Sequence, residues 1–232
     1  ILISVKTVQP RVSEGDVNSK LLQKFLASIG LTIKSFAAIS EKTQDVVAQD
    51  FEGQNIGFEV KGARSFTSKV TVFDRYNPNY NLGNLQNSDY KEKIKFIFGD
   101  LRDFDSVNKA IKGHDTVLHL AALIGIPYSY FSPLAYVKTN VEGTYNVLES
   151  SKKNGIKKLV ITSTSEVYGS ANYIPIDEEH VLKPQSPYSA SKIAADNLAI
   201  SYYNSFKLPV IILRPFNTFG PRQSERAIIP TI

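Results

Sequence analysis

Lys158-Leu159-Val160-Ile161-Thr162-Ser163 is a nearly unbroken run of aliphatic and β-branched residues that closes on two hydroxyls. A strand with one wet face alternates polar and apolar residues, whereas one covered on both faces reads as this run does. Four other stretches share the pattern: Lys69-Val70-Thr71-Val72-Phe73-Asp74, Lys95-Phe96-Ile97-Phe98-Gly99-Asp100, Thr116-Val117-Leu118-His119-Leu120-Ala121-Ala122 and Pro209-Val210-Ile211-Ile212-Leu213-Arg214. Helices are predicted between them, over Asp103 to Lys112, over roughly Leu134 to Asn154 closed by Gly155, and over Pro187 to Phe206, stopped before Pro209. Strands alternating with helices predict an α/β fold on a doubly wound parallel sheet. Ligands on such sheets bind at the carboxyl ends of the strands, where Asp74, Asp100 and Ser163 fall.

Residues 1–68 break the rhythm. A strand (Ile1 to Val5), an amphipathic helix (Ser19 to Ile29) and a further apolar run (Leu31 to Ile39) can be read there. A dinucleotide fold needs a glycine-rich turn directly after its first strand, so that backbone amides reach the pyrophosphate at a helix N-terminus. Only Gly53, Gly57 and Gly62 cluster, in GQNIGFEVKG, and their spacing is not the one required. Three parts are expected: an atypical segment 1–68, a core 69–226, and 227–232 as the start of something cut short.

Composition narrows the function classes. The 232 residues suffice for one substantial core, and 27 Lys and Arg against 22 Asp and Glu leave a net charge of +5. The basic residues are scattered, which suits a small anionic ligand and argues against nucleic acid as a partner. With no cysteine, and with His114, His119 and His180 lacking ligand spacing, no metal site is expected. No signal-peptide pattern and no apolar run of about 18 residues occurs, so a cytoplasmic protein without a membrane partner is expected.

Ser186-Pro187-Tyr188-Ser189-Ala190-Ser191-Lys192 carries the sharpest chemical signal. On a helix, Tyr188 and Lys192 start roughly 5 to 6 Å apart on one face. An ammonium there favours a phenolate, and bringing a phenol from about 10 to neutrality takes roughly 4 kcal/mol. Tyr203 and Lys207 have the same spacing, so spacing alone does not decide. Position does: Tyr188 opens its helix about twenty residues after Ser163-Thr164-Ser165-Glu166-Val167-Tyr168-Gly169, whereas Tyr203 and Lys207 sit at the far end. Hydroxyls and a carboxylate where a strand opens into a loop give an acid or base a fixed position.

Other strand ends are open to two readings. Asp74 either accepts hydrogen bonds from both hydroxyls of an adenosine ribose, favouring NAD over NADP, or caps a turn, and Arg75 beside it blurs the preference. Asp100-Leu101 either contacts adenine or makes a turn. The small residues after His119 let a planar group lie against the backbone, or simply pack.

In this order VFDRY, GDLRD, HLAAL, TNVEGT (Thr139 to Thr144), STSEVYG, YSASK and RPFNTFGPRQ (Arg214 to Gln223) make the chain from about residue 69 to 232 resemble the extended short-chain dehydrogenase/reductase family. The resemblance is to its NAD-dependent nucleotide-sugar epimerases and dehydratases, which are Rossmann-like enzymes. It implies that Tyr188 is the base toward the sugar 4-hydroxyl, that Lys192 tunes it and holds the nicotinamide ribose, and that Thr164 bonds the same hydroxyl. Asp74, Asp100, Leu101, Leu120, Ala121, Ala122, Thr139 and Pro215 would line NAD together with Tyr188 and Lys192, and Asn217 would meet the substrate's phosphates. It also implies a homodimer through the helices of Tyr188 and of Leu134 to Asn154.

Within the family, an acidic residue at the place of Glu166 resembles 4,6-dehydratases, and Ser165 stands where glucose-type dehydratases carry an aspartic acid. Glu166 is then expected to serve as both base and acid, with Ser165 at the substrate. AALIGIPYSYFSP with STSEVYG most resembles dehydratases acting on UDP- or GDP-N-acetylglucosamine in legionaminic-type pathways. A nucleotide-sugar 4-epimerase, a UDP-glucuronate decarboxylase and a non-enzymatic Rossmann-like assembly module remain alternatives. Two departures are the absent glycine-rich loop and a C-terminal substrate lobe expected to be truncated after Ile232, so the activity is expected of the intact relative.

Overall fold

A computed structural model describes residues 2–6, 46–49, 55–58, 69–88 and 91–218. The expected helix Ser19 to Ile29, the run Leu31 to Ile39 and the 226/227 boundary lie outside them. The chain divides into two units, residues 1–7 with 68–216 and residues 8–67 with 217–232. In the second unit, β2 (Val46–Gln49) and β3 (Asn55–Phe58) pair antiparallel, with Val46 opposite Phe58.

The first unit is Rossmann-like. Its six-stranded sheet has the order β5-β4-β1-β6-β7-β8, with β1 at Leu2–Lys6, β4 at Lys69–Arg75, β5 at Ile94–Gly99, β6 at Thr116–His119, β7 at Lys158–Thr162 and β8 at Val210–Leu213. β4 pairs parallel with β5, and β6, β7 and β8 pair parallel in turn. β1 is the exception to the expected parallel sheet. It lies between β4 and β6 and runs antiparallel to both, with Leu2 opposite Phe73 and His119, and Val5 opposite Val70 and Thr116. It therefore ends at the edge where β4 and β6 begin.

The continuous apolar runs behave as two-sided strands only in the interior of the sheet. Leu159, Val160 and Ile161 of β7 are buried, whereas the outermost strands β5 and β8 are half-exposed. Val107, Ile111, Val147, Leu148 and Leu208 complete the core around β6 and β7.

Helix α1 (Phe104–Ile111) starts at Asp103, whose side chain accepts from the Asp105 amide, as an N-cap should. The predicted Leu134 to Asn154 helix is compound: α3 (Pro133–Tyr136), a π-helical turn (Val137–Glu142) and α4 (Gly143–Lys153). Gly143 is required there because a Cβ would lie 2.5 Å from Leu101 Cδ2. Helix α2 (Ile126–Phe131) went unpredicted, since IPYSYF has no helical period. Helix α5 (Pro187–Phe206) matches its predicted bounds. Ser186 and Ser189 form a reciprocal capping box, Pro187 fills the first turn, and left-handed Lys207 ends the helix.

Candidate active site

The carboxyl ends of β4 to β8 share one edge, and the chemically notable side chains gather at β7. Thr164 is extended and caps a 3-10 turn, Ser165–Val167, its hydroxyl accepting from the Glu166 amide at 3.2 Å. That turn exposes Glu166 and half-buries Ser165 beside it. The Ser165 amide donates to the Pro215 carbonyl at 3.0 Å, tying the turn to the segment after β8.

The capping box of α5 sets the first helical turn, and with it Tyr188, against this strand end. Tyr188 is 6% exposed. Burial pushes its phenol above the usual range, a hydrogen bond with Thr164 pulls it down, and the nearby Glu166 and Tyr136 push it up. The phenol is therefore not lowered here, contrary to what Lys192 one turn away would suggest. Burial outweighs the ammonium, whose Nζ donates to the Thr162 carbonyl at 2.7 Å. Burial brings Lys192 down to about 8, with Asp196 opposing. At the other end of α5, Tyr203 and Lys207 are exposed, so the matching spacing there has no site around it.

His119 ends β6, fully buried, with Nε2 within 3.0 Å of the Thr144 hydroxyl and Nδ1 unpartnered. Burial, reinforced by the Lys192 charge, pushes its imidazole down to about 3. After it come exposed Leu120 and half-buried Ala121 and Ala122. Asn140, buried in the π-helical turn, holds this loop: its side chain accepts from the Leu123 amide and donates to the Leu123 carbonyl and the Ser191 hydroxyl. Thr139, half-buried, is on the same turn.

The β4 and β5 ends are less uniform. Asp74 is half-buried and its Oδ1 accepts from the Arg75 amide at 2.7 Å. Asp100 is engaged by the Arg102 guanidinium, with Nε to Oδ1 at 2.9 Å, and this pairing lowers its carboxyl to about 2. Leu101 is in the core, its carbonyl taken by Asn146, so its side chain is not at the edge. Asn217 belongs to the second unit.

Of the predicted residues, the structure gathers Thr164, Ser165, Glu166, Tyr188, Lys192 and Pro215 around the β7 end. Asp74 and Asp100 are across the sheet on β4 and β5. The ends of this edge suit the two nucleosides of a dinucleotide: a half-buried carboxylate at β4 for one ribose, and a buried phenol and ammonium beside small residues for the other. Among the described residues, no strand-to-helix turn follows the central strand at this edge to cradle a pyrophosphate. Sequence reading did not single out Tyr136, Asn140 or Asp196. The only signal was Asp196's place four residues after Lys192 and eight after Tyr188.

Residues 64–232 match the family described as GDP-mannose 4,6 dehydratase. The chain belongs to this family, within the NAD-dependent epimerases and dehydratases of the extended short-chain dehydrogenase/reductase group. It is 35% identical over 163 residues to a dTDP-glucose 4,6-dehydratase of Streptomyces niveus, covering 70% of this chain and 48% of that one. A dTDP-glucose 4,6-dehydratase of Streptomyces venezuelae solved with NAD bound superposes with a TM-score of 0.64 at 32% identity, over 69% of this chain and 50% of that one. A UDP-N-acetylglucosamine 4-epimerase of Methanobrevibacter ruminantium, in complex with UDP-N-acetylmuramic acid, gives 0.62 at 36% identity, over 69% and 51%. The chain spans about half the length of the curated relatives it matches.

Proposed function

We propose that the protein is an NAD-dependent nucleotide-sugar 4,6-dehydratase acting on a UDP- or GDP-activated N-acetylglucosamine. The observation that carries this reading is Glu166 on one short turn with Thr164, close enough to Tyr188 for its charge to raise the phenol. Dehydration needs a second base beside the one that serves the 4-hydroxyl, and Glu166 is exposed toward solvent, where substrate arrives. The N-acetylglucosamine preference rests on the likeness of AALIGIPYSYFSP, and the family supports the coarser assignment.

Asp74 would hold the adenosine ribose of NAD, and Tyr188 and Lys192 the nicotinamide ribose, with Asp100, Leu120, Ala121, Ala122, Thr139 and Pro215 along the same edge. When bound, NAD supplies the acceptor and later the donor of a hydride. Tyr188 takes the proton of the 4-hydroxyl while Thr164 holds that oxygen. Glu166 takes the C5 proton, acidified by the adjacent ketone, and returns a proton to the departing 6-hydroxyl. Ser165 would orient the sugar and Asn217 its phosphates.

Residues 69–226 would form the catalytic core. Two copies would meet along α4 and α5, which leave Tyr145, Ile200 and Tyr203 exposed. Among the described residues no helix is long and apolar enough to cross a membrane.

The test is the product formed by the full-length protein from UDP- or GDP-N-acetylglucosamine in deuterated water. A 4-keto-6-deoxy sugar with one deuterium at C5 is expected. A product inverted at C4 that keeps its 6-hydroxyl means an epimerase, and CO₂ from UDP-glucuronate means a decarboxylase; either removes the dehydratase assignment.

A further inference from the structure

Behind the β7 end lies a charged cluster that neither Tyr188 nor Glu166 explains. Asp196 is completely buried, yet it is a carboxylate. Its Oδ2 accepts from the Ser163 hydroxyl at 2.9 Å and from Arg214 Nε at 3.0 Å. Arg214 continues outward, its Nη1 donating to the Tyr168 hydroxyl at 3.2 Å while the guanidinium lies 5.3 Å from the centre of that ring. The Ser163 amide donates to the Leu213 carbonyl at 2.6 Å. Thus one carboxylate ties together α5, the end of β7, the end of β8 and the turn that holds Glu166.

We propose that Asp196 is a positioning residue of this site: paired with Arg214 and bonded to Ser163, its carboxylate is the buried counter-charge that keeps Lys192 an ammonium and fixes the Thr164–Glu166 turn. This rests on the reading of Tyr188, Lys192, Thr164 and Glu166 as the reacting set.

A buried carboxylate left alone would be costly, and removing one partner of such a pair leaves an uncompensated buried charge. Burial raises the Asp196 carboxyl above its ordinary value, and Ser163, Arg214 and Lys192 pull it back toward the carboxylate; Arg214 does so at any ordinary pH, because it stays charged. The charge is directed along α5, where Asp196 and Lys192 are one turn apart on the buried face.

Around Lys192 the other ionisable neighbours do not compete for this role. His119 on β6 is held neutral, the Tyr188 phenol is held protonated, and Arg214, across Asp196, is itself a cation. Burial lowers Lys192, and Asp196 is what raises it. An ammonium one helical turn from Tyr188 favours the phenolate that takes the 4-hydroxyl proton, whereas a neutral amine does not.

Asp196→Asn isolates the charge. The amide oxygen can still accept from Ser163 and Arg214, and its nitrogen takes the place of Oδ1, which has no hydrogen-bond partner. The measurement is the titration of the Lys192 13Cε resonance in the 232-residue chain labelled with 13C-lysine, assigned by its absence in Lys192→Gln. The expected midpoint is about 8 in the wild type. In Asp196→Asn it should fall by about one pH unit or more, a tenfold loss of proton affinity; an unchanged or higher midpoint overturns the proposal. Should Asp196→Asn fail to give a folded spectrum, the Asp196 13Cγ resonance of the wild type decides: it should keep its carboxylate position across the Lys192 titration, and a protonated Asp196 carboxyl there overturns the proposal equally. The titration needs neither sugar nor turnover. A fallen midpoint together with no elimination in the full-length protein leaves this assignment standing and removes the dehydratase reading instead.

Discussion

Tyr136 stands edge-on to Tyr188, ring centroids 6.2 Å apart and planes at 77°, and its hydroxyl donates to the Gly125 carbonyl. One fully buried ring thus supports the face of the site phenol and pins the loop before α2. Edge-to-face pairs of this kind contribute about 0.5–1.5 kcal/mol beyond the area they bury.

Tyr136→Phe should keep the ring contact and lose only the hydrogen bond, costing about 0.5–1.5 kcal/mol, because the Gly125 carbonyl still accepts from the Ser129 amide. Tyr136→Ala should cost about 3–5 kcal/mol, as aromatic truncations in a packed core do. Urea unfolding of both variants checks the order, and equal losses would mean that the ring is not the support.

His119 makes stability depend on pH in a definite direction. Its folded-state value, about 3, lies below the ordinary 6.5, so the folded chain binds fewer protons between those values. The contribution is fully present above about pH 6.5 and is lost as pH falls toward 3. The shift corresponds to roughly 4–5 kcal/mol over the whole window. Asp100, lowered to about 2, acts in the same direction but lower, between its ordinary 3.8 and 2. Denaturant midpoints measured from pH 7 to pH 4 should fall in the wild type and much less in His119→Asn. Equal slopes would show that carboxylates, not this imidazole, carry the loss.

The parts of the fold that were legible in sequence are those whose cause is local. KLVITS and PVIILR announce strands by composition, and Ser186-Pro187 announces the start of α5 by capping chemistry. β1 was legible as a strand but its direction was not, because direction depends on where the chain comes from and not on the residues that pair. The same division runs through the site. Thr164, Glu166, Tyr188 and Lys192 lie in motifs with close spacing. Asp196 meets Arg214 and Ser163 only across 18 and 33 residues, and Asn140 reaches Ser191 across 51. Nor could spacing show that the Lys192 ammonium would take the Thr162 carbonyl, since that acceptor is a backbone atom on another element.

At the end of β4, Asp74 has one oxygen on the Arg75 amide. In the full-length protein, Asp74→Ala should weaken NAD by roughly 10- to 100-fold, the worth of about 1.5–3 kcal/mol for hydrogen bonds to a charged group. NADP should change far less, because the substitution also removes a repulsion toward its 2′-phosphate. Calorimetric titration with both cofactors decides, and equal losses would move the ribose contact away from Asp74.

Glu166 and Tyr188 should separate the two halves of the reaction. Glu166→Gln preserves size and hydrogen bonding, and the exposed turn capped by Thr164 gives no reason for it to unfold. It removes only the base, and a positioned general base typically contributes about 10²- to 10⁴-fold in rate. Elimination from the nucleotide sugar should fall by that order while oxidation at C4, followed as NADH absorbance in a single turnover, survives. Tyr188→Phe should abolish both, since no hydride leaves C4 until its hydroxyl gives up a proton. Burial already holds the Tyr188 phenol protonated, so oxidation should quicken with rising pH in the wild type and in Glu166→Gln alike. Loss of C4 oxidation in Glu166→Gln would place the carboxylate in the first step and withdraw it from C5.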